Sequence, residues 1–216
     1  QLLTPLNSIL GFTMYILNFS GSSLSKDIVN DIENIEVNAL FLLYNILDII
    51  DYTKIITNNF SYKFEPFNFH QVIENIQKLI IFMHKYFDAK IDFELIDVDF
   101  NFNHDYKRVE QIIFTLLFFV LSSKSHGTYN LRLKLDDEGK RKVVVIIAVN
   151  SPLIDENYFG KLYYYKENVS SKNFKNFTLE DFLAYCPIQM IFQLEDKIEF
   201  EKIQNSFIIK ITFYEK

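Results

Sequence analysis

Leu3-Thr4-Pro5-Leu6-Asn7-Ser8-Ile9-Leu10-Gly11-Phe12 opens a segment whose apolar residues recur every three or four positions, continuing through Met14, Ile16 and Leu17. That spacing predicts a helix from Leu2 to about Phe19, buried on a broad face. Ser20-Gly21-Ser22-Ser23 ends it with turn chemistry. A second helix is predicted from Ser25, an N-cap residue with Asp27 in the following turn. Its apolar stripe runs through Ile28, Ile32, Ile35, Ala39, Leu42, Leu43, Ile46, Leu47, Ile50 and Tyr52, and Thr57-Asn58-Asn59 stops it. Glu33, Glu36, Asp48 and Asp51 are expected on its solvated side. The second helix is about 32 residues long, roughly 48 Å, against about 18 residues for the first. The first is therefore expected to begin upstream of Gln1, and the hairpin to pair with a second copy into a four-helix bundle.

From about Phe60 the pattern changes. Pro66 discourages helix at Glu65, so Phe64-Glu65-Pro66-Phe67 is an extended linker. A helix (about Phe69 to Phe87), a strand (Ile91 to Ile96) and a strongly apolar helix (about Tyr106 to Leu121) follow. Strands are expected at Tyr129 to Leu135, Val143 to Val149, Lys197 to Glu201 and Ser206 to Tyr214. The uniformly apolar Val143 to Val149 suits a strand buried on both faces or at a sheet centre. Pro152 to Asn176 carries no periodic signal and is expected as loop, and Pro187 is expected to break or kink a helix at Leu179 to Leu194. The domains so predicted are a helical hairpin, truncated at its start, over 1–59; a linker over 60–68; and an α/β sandwich of helices on a mixed sheet over 69–216.

The 216 residues are 49% hydrophobic, enough for a sizeable core, and Gly and Pro number only 5 and 4, which argues against disorder. Net charge is −6, and no basic run is longer than Gly139-Lys140-Arg141-Lys142, which sits where a hairpin turn is expected, so nucleic acid is not an expected partner. The longest apolar run, Ile112 to Leu121, is far short of the roughly 20 residues that cross a bilayer. The single cysteine, Cys186, excludes an internal disulfide and fits a reducing, cytoplasmic compartment. His70, His84, His104 and His126 lack metal-ligand spacing, and no metal is expected. A first residue of Gln rather than Met suggests a fragment or a processed product.

Leu3 to Phe12 resembles the phospho-acceptor box of two-component histidine kinases, written H-E-L-R-T-P-L-N-x-I-L-G-F. Leu43-Tyr44-Asn45-Ile46-Leu47-Asp48-Ile49-Ile50-Asp51-Tyr52-Thr53-Lys54 is similar to the second-helix segment of that family, Glu65-Pro66-Phe67-Asn68-Phe69 to its linker, and Asp105-Tyr106-Lys107-Arg108-Val109-Glu110-Gln111-Ile112-Ile113 to its D-x-x-R-L-x-Q-I-L helix. The resemblance implies a dimerising hairpin followed by an α/β sandwich of the histidine-kinase ATPase type. It places an acceptor histidine just before Gln1, and a response-regulator receiver domain as the partner docking low on the bundle. Gln1 replaces the acidic neighbour that assists proton transfer, and an amide cannot act as a base. Thr4 matches the hydroxyl that positions water during receiver dephosphorylation, and Pro5 the proline that kinks the helix.

The departures fall where the family holds Mg-ATP. The two asparagines of N-L-L-x-N-A match Thr115 and Phe119, and a phenyl ring cannot ligate Mg²⁺. D-x-G-x-G falls on Asn150-Ser151-Pro152-Leu153-Ile154, which lacks the carboxylate and both glycines. The G-L-G-L-A phosphate loop falls on Asp181-Phe182-Leu183-Ala184-Tyr185, where a carboxylate would repel triphosphate. The expectation is a module with no nucleotide cofactor and no ATP-dependent kinase activity. It would act as a dimer that docks a receiver and relays phosphate through a histidine before Gln1. The rival expectation is a structural or allosteric scaffold using the same fold as an interaction surface.

Overall fold

A computed structural model describes residues 3–77, 90–94, 101–122, 130–136, 142–150, 155–169 and 178–216. The chain forms two compact units, Gln1–Asp51 and Tyr52–Lys216. In the first, helix α1 (Leu3–Ser20) leads through a short 3₁₀ turn (Gly21–Ser23) into α2 (Lys26–Ile56), whose last turn belongs to the second unit. Ser25 caps α2: its side-chain oxygen accepts from the Ile28 N–H. At the far end Asn58 takes a left-handed conformation (φ 56°) and the Asn59 N–H reaches back to the Lys54 carbonyl, closing the helix as Thr57-Asn58-Asn59 predicts.

The two helices are paired, with Leu6, Leu10 and Ala39 forming a small core against Leu40, Leu43 and Ile46. Burial along α2 differs from expectation in one respect. Asp48 and Asp51 are 2% and 1% exposed and Glu36 is buried as well, whereas Ile28, Ile35, Leu42 and Ile49 lie about half in solvent. Burial, and then repulsion from Glu33, raises the Glu36 carboxyl above its ordinary range. A stripe with spacing of three and four covers more than one face of so long a helix, and only part of it turns inward within one copy.

The second unit starts with β1 (Glu65–Asn68) and continues into α3, helical over 69–77. The segment read as a linker is extended, but it also pairs antiparallel with β3 (Asn101–His104), a strand the sequence pattern did not reveal. Pro66 is tolerated because, among the described residues, β1 pairs with β3 alone. The main sheet contains β2 (Lys90–Glu94), β4 (Asn130–Asp136), β5 (Lys142–Asn150), β6 (Lys197–Ile203) and β7 (Ser206–Tyr214) in the order β2-β4-β5-β7-β6. β2 and β4 are parallel and the other pairs antiparallel. β5 is central as expected. Val143, Val145, Ile147 and Val149 lie opposite Phe213, Ile211, Ile209 and Phe207 on one fully buried face. Its other face includes the partly exposed Ile146 and Ala148, whose apolar character hides the alternation. The outer strand β6 carries Lys197, Glu199, Glu201 and Lys202.

Helices α4 (Tyr106–Ser122), α5 (Glu156–Glu167) and α6 (Leu179–Gln193) complete the unit. α5 lies where loop was expected. Asp155 caps it by accepting from the N–H groups of Asn157 and Tyr158, and Tyr158, Phe159, Leu162 and Tyr165 form its buried face. Aromatic residues are middling helix formers, so the local preference was weak and packing decided. α6 continues through Pro187 without a break.

A buried polar knot joins β3 to the final strand. His104 Nδ1 accepts from the Asp105 N–H at 2.8 Å, so Nε2 carries the proton toward Asp196 Oδ2 at 2.9 Å. Asp196 Oδ1 accepts from the Tyr214 N–H and lies 3.4 Å from the Lys216 ammonium. Asp196→Asn can serve only some of these donors and turns an amide N–H toward another. It is expected to lower unfolding free energy by about 1–3 kcal/mol in chemical denaturation.

Candidate functional site

Thr4 and Pro5 lie exposed in the first described turn of α1, where the Thr4 carbonyl accepts from the Ser8 hydroxyl. Gln1 and Pro152 lie outside the described residues. Asn150 ends β5, in register with Asn130 and Ser206.

Thr115 and Phe119 sit one turn apart on α4, 1% and 0% exposed. The Phe119 ring stacks on Tyr158 at 4.4 Å between centroids and meets Phe159 edge-on at 6.1 Å. The Tyr158 hydroxyl donates to the Phe119 carbonyl oxygen at 2.8 Å. Phe159 in turn packs on Phe207 of β7 at 4.4 Å. Four rings from three elements therefore fill the space above this part of α4, and each aromatic contact adds to the area it buries. The sequence pointed to Phe119, whereas its cover was missed because α5 was read as loop.

Leu183 is buried and Asp181 lies in the first turn of α6. Asp181 and Thr178 make a reciprocal capping box: the Asp181 N–H reaches Thr178 Oγ1, and the Asp181 carboxylate accepts from the Thr178 N–H at 2.8 Å and its hydroxyl at 2.6 Å. Lys161 of α5 bridges to Glu180 at 2.8 Å and Asp181 at 3.3 Å. Burial opposes ionisation of Asp181. The Thr178 hydroxyl and N–H, the Tyr165 phenol and the Lys161 ammonium outweigh it and hold the carboxyl below its ordinary range. Burial, then Asp181, pushes the Tyr165 phenol well above its own. A helix N-terminus is ready-made for anions, and here the chain's own carboxylates take that place.

Because the folded pKa of Asp181 is depressed, its contribution is complete above the ordinary carboxylate range and is lost as pH falls through the folded value. Asp181→Asn is expected to cost about 1 kcal/mol at neutral pH. Denaturation curves of the two proteins should converge in acid.

No known protein-family model matches the sequence. The autoinducer 2 sensor kinase/phosphatase LuxQ of Vibrio vulnificus is 29% identical over 145 residues, 63% of this chain, and the match spans 16% of LuxQ's length. Among solved structures, the Acinetobacter baumannii histidine kinase AdeS superposes over 100% of this chain and 97% of its own, with TM-score 0.57 and 16% identity. Histidine kinase ThkA, solved in complex with the response regulator protein TrrA, matches 99% of this chain and 58% of its own, with TM-score 0.57 and 19% identity. A bacterial phosphotransferase matches 96% and 88%, with TM-score 0.51 and 9% identity. These likenesses define the fold as that of a histidine kinase, a helical hairpin followed by an ATPase-like α/β domain. Among the described residues no helix is long and apolar enough to cross a membrane.

Proposed function

We propose that this chain is a two-component signalling module that has kept the histidine-kinase fold and given up Mg-ATP. The observation that carries this reading is Phe119, seated under Tyr158 where the family resemblance calls for a metal-ligating amide. The α6 N-terminus, where the resemblance calls for triphosphate, carries Glu180 and Asp181 and its own cap. The residues present do not fit a magnesium nucleotide, and no chemical step is routed through one. Thr115, Phe119, Asn150, Pro152, Asp181 and Leu183 are thus the altered nucleotide positions.

What remains is the hairpin. Ile28, Ile35, Leu42 and Ile49, each 46–52% exposed, are spaced seven residues apart on α2. Phe12 and Phe19, 69% and 74% exposed, keep the same interval on α1. A seven-residue apolar repeat left in solvent matches a helical partner, and a second copy supplies one. The dimer offers a receiver-docking surface and relays phosphate through a histidine preceding Gln1, with Thr4 and Pro5 flanking it. The ThkA–TrrA complex and the phosphotransferase likeness support that reading.

The test uses the chain extended upstream, mixed with a phosphorylated receiver domain, beside a nucleotide titration with and without magnesium. Phosphate transfer or accelerated dephosphorylation, with no magnesium-dependent ATP binding, is expected. Absence of both receiver reactions removes the relay and leaves the scaffold. Micromolar Mg-ATP binding removes the whole reading.

A further inference from the structure

Val29, Glu36, Leu43 and Ile50 recur at seven-residue intervals on α2. Leu43 packs on the Leu6, Leu10 and Ala39 core between the two helices, and Val29 and Ile50 are partly buried. Glu36, 8% exposed, is thus a carboxyl in a series that otherwise turns apolar side chains inward. It lies one turn from Ala39 toward the connecting 3₁₀ turn, as Thr13 of α1 lies one turn from Leu10 in the same direction. Thr13 is 6% exposed, and its hydroxyl donates to the Leu10 carbonyl at 3.0 Å, so its single proton is already committed. Nor is there a cation to neutralise the carboxylate. Lys26 is the only lysine, arginine or histidine in Gln1–Asp51, and it stands ten residues, about 15 Å, away along α2. α1 carries no charged residue, and its one titratable group, Tyr15, is 60% exposed. On α2 the charges nearest to Glu36 are Glu33, on the adjoining turn, and Asp31, and both are acidic.

An ionised carboxylate in an apolar seam must keep water beside it, and a protonated one need not. We propose that Glu36 is a pH-sensitive element of the hairpin, whose carboxylate loosens the pairing of α1 with α2 at neutral pH and whose protonation in mild acid tightens it. Burial and then Glu33 raise the carboxyl above its ordinary range, so the folded hairpin binds the proton more readily than the unfolded chain does. Stability therefore rises as pH falls through the folded value, and the gain levels off below the ordinary carboxylate range. The device works within a single chain and does not involve the nucleotide positions.

Amide hydrogen exchange of the isotope-labelled full chain, read by NMR and corrected for the intrinsic pH dependence of exchange, tests it at Leu10, Ala39 and Leu40. Protection of these amides is expected to rise severalfold between about pH 7.5 and about pH 5, toward the ordinary carboxylate range. Glu36→Gln, the uncharged isostere of the protonated side chain, should show the higher protection already at neutral pH. Other carboxylates of the hairpin also discharge in acid, so the difference between the native chain and Glu36→Gln carries the test. Glu33→Gln, which removes the neighbouring repulsion, should leave a smaller rise than the native chain shows. If Glu36→Gln does not fold, a carboxyl-carbon NMR titration of the native chain decides alone. Glu36 should then take up its proton at a higher pH than the exposed Glu74 and Glu156. Protection that stays flat or falls in acid, a rise of equal size in Glu36→Gln, or titration of Glu36 together with the exposed glutamates would each overturn the proposal.

Discussion

Ile35→Glu combined with Leu42→Glu is expected to turn the proposed dimer into a monomer without loss of helix. Both side chains are about half exposed in the single chain, at 51% and 52%, so neither substitution removes intramolecular packing of consequence. In a two-fold seam each change counts twice, and four half-buried apolar side chains are lost from the interface. At about 1.5–3 kcal/mol for burying a whole side chain, the loss is about 3–6 kcal/mol, a weakening of roughly 10²–10⁴-fold. Sedimentation equilibrium measures it, with circular dichroism as the control for helix. A native chain that sediments as a monomer, or a double variant that stays dimeric, contradicts the seam.

Phe119→Asn, the change that restores the amide the family resemblance calls for, is expected to damage the protein rather than revive it. The ring is fully buried, stacked on Tyr158 and flanked by Phe159. Removing it opens a cavity among rings that α5 and β7 hold in place, and the amide brings polar atoms into that cavity. A loss of about 3–5 kcal/mol of unfolding free energy is the expected result. Phe119→Leu, which keeps most of the volume, should cost roughly 1.5 kcal/mol or less. Neither variant is expected to gain magnesium-dependent nucleotide binding, because the α6 N-terminus remains capped by Asp181. A stable Phe119→Asn protein that binds Mg-ATP would show the site to be one substitution away from function.

Which parts of the molecule were legible in the sequence follows from how strongly local chemistry and packing agree. The hairpin was readable because Ser25, the Gly21 turn and Asn58 mark its ends in the same places as the apolar spacing. β5 and β7 were readable from β-branched and aromatic runs. α5 was not: its buried Tyr158, Phe159, Leu162 and Tyr165 obey helical spacing, but five aromatic rings in one helix mask the period. β3, four residues long, is too short for an alternation to register. Asp48 and Asp51 were misplaced because charge alone predicts solvent, whereas both are buried in the folded chain. At the candidate site, Thr115 and Phe119 could be singled out from the chain, and the rings that close over Phe119 could not.

The charges along β6 bear on how the protein behaves when crowded. An outer strand offers unpaired backbone groups to any strand that drifts alongside, and like charges meeting across such a junction repel. With Lys197, Glu199, Glu201 and Lys202 set along it, a second copy arriving edge to edge must displace or desolvate charged side chains before a ladder can form. Growth of sheets from molecule to molecule is thereby discouraged at that rim.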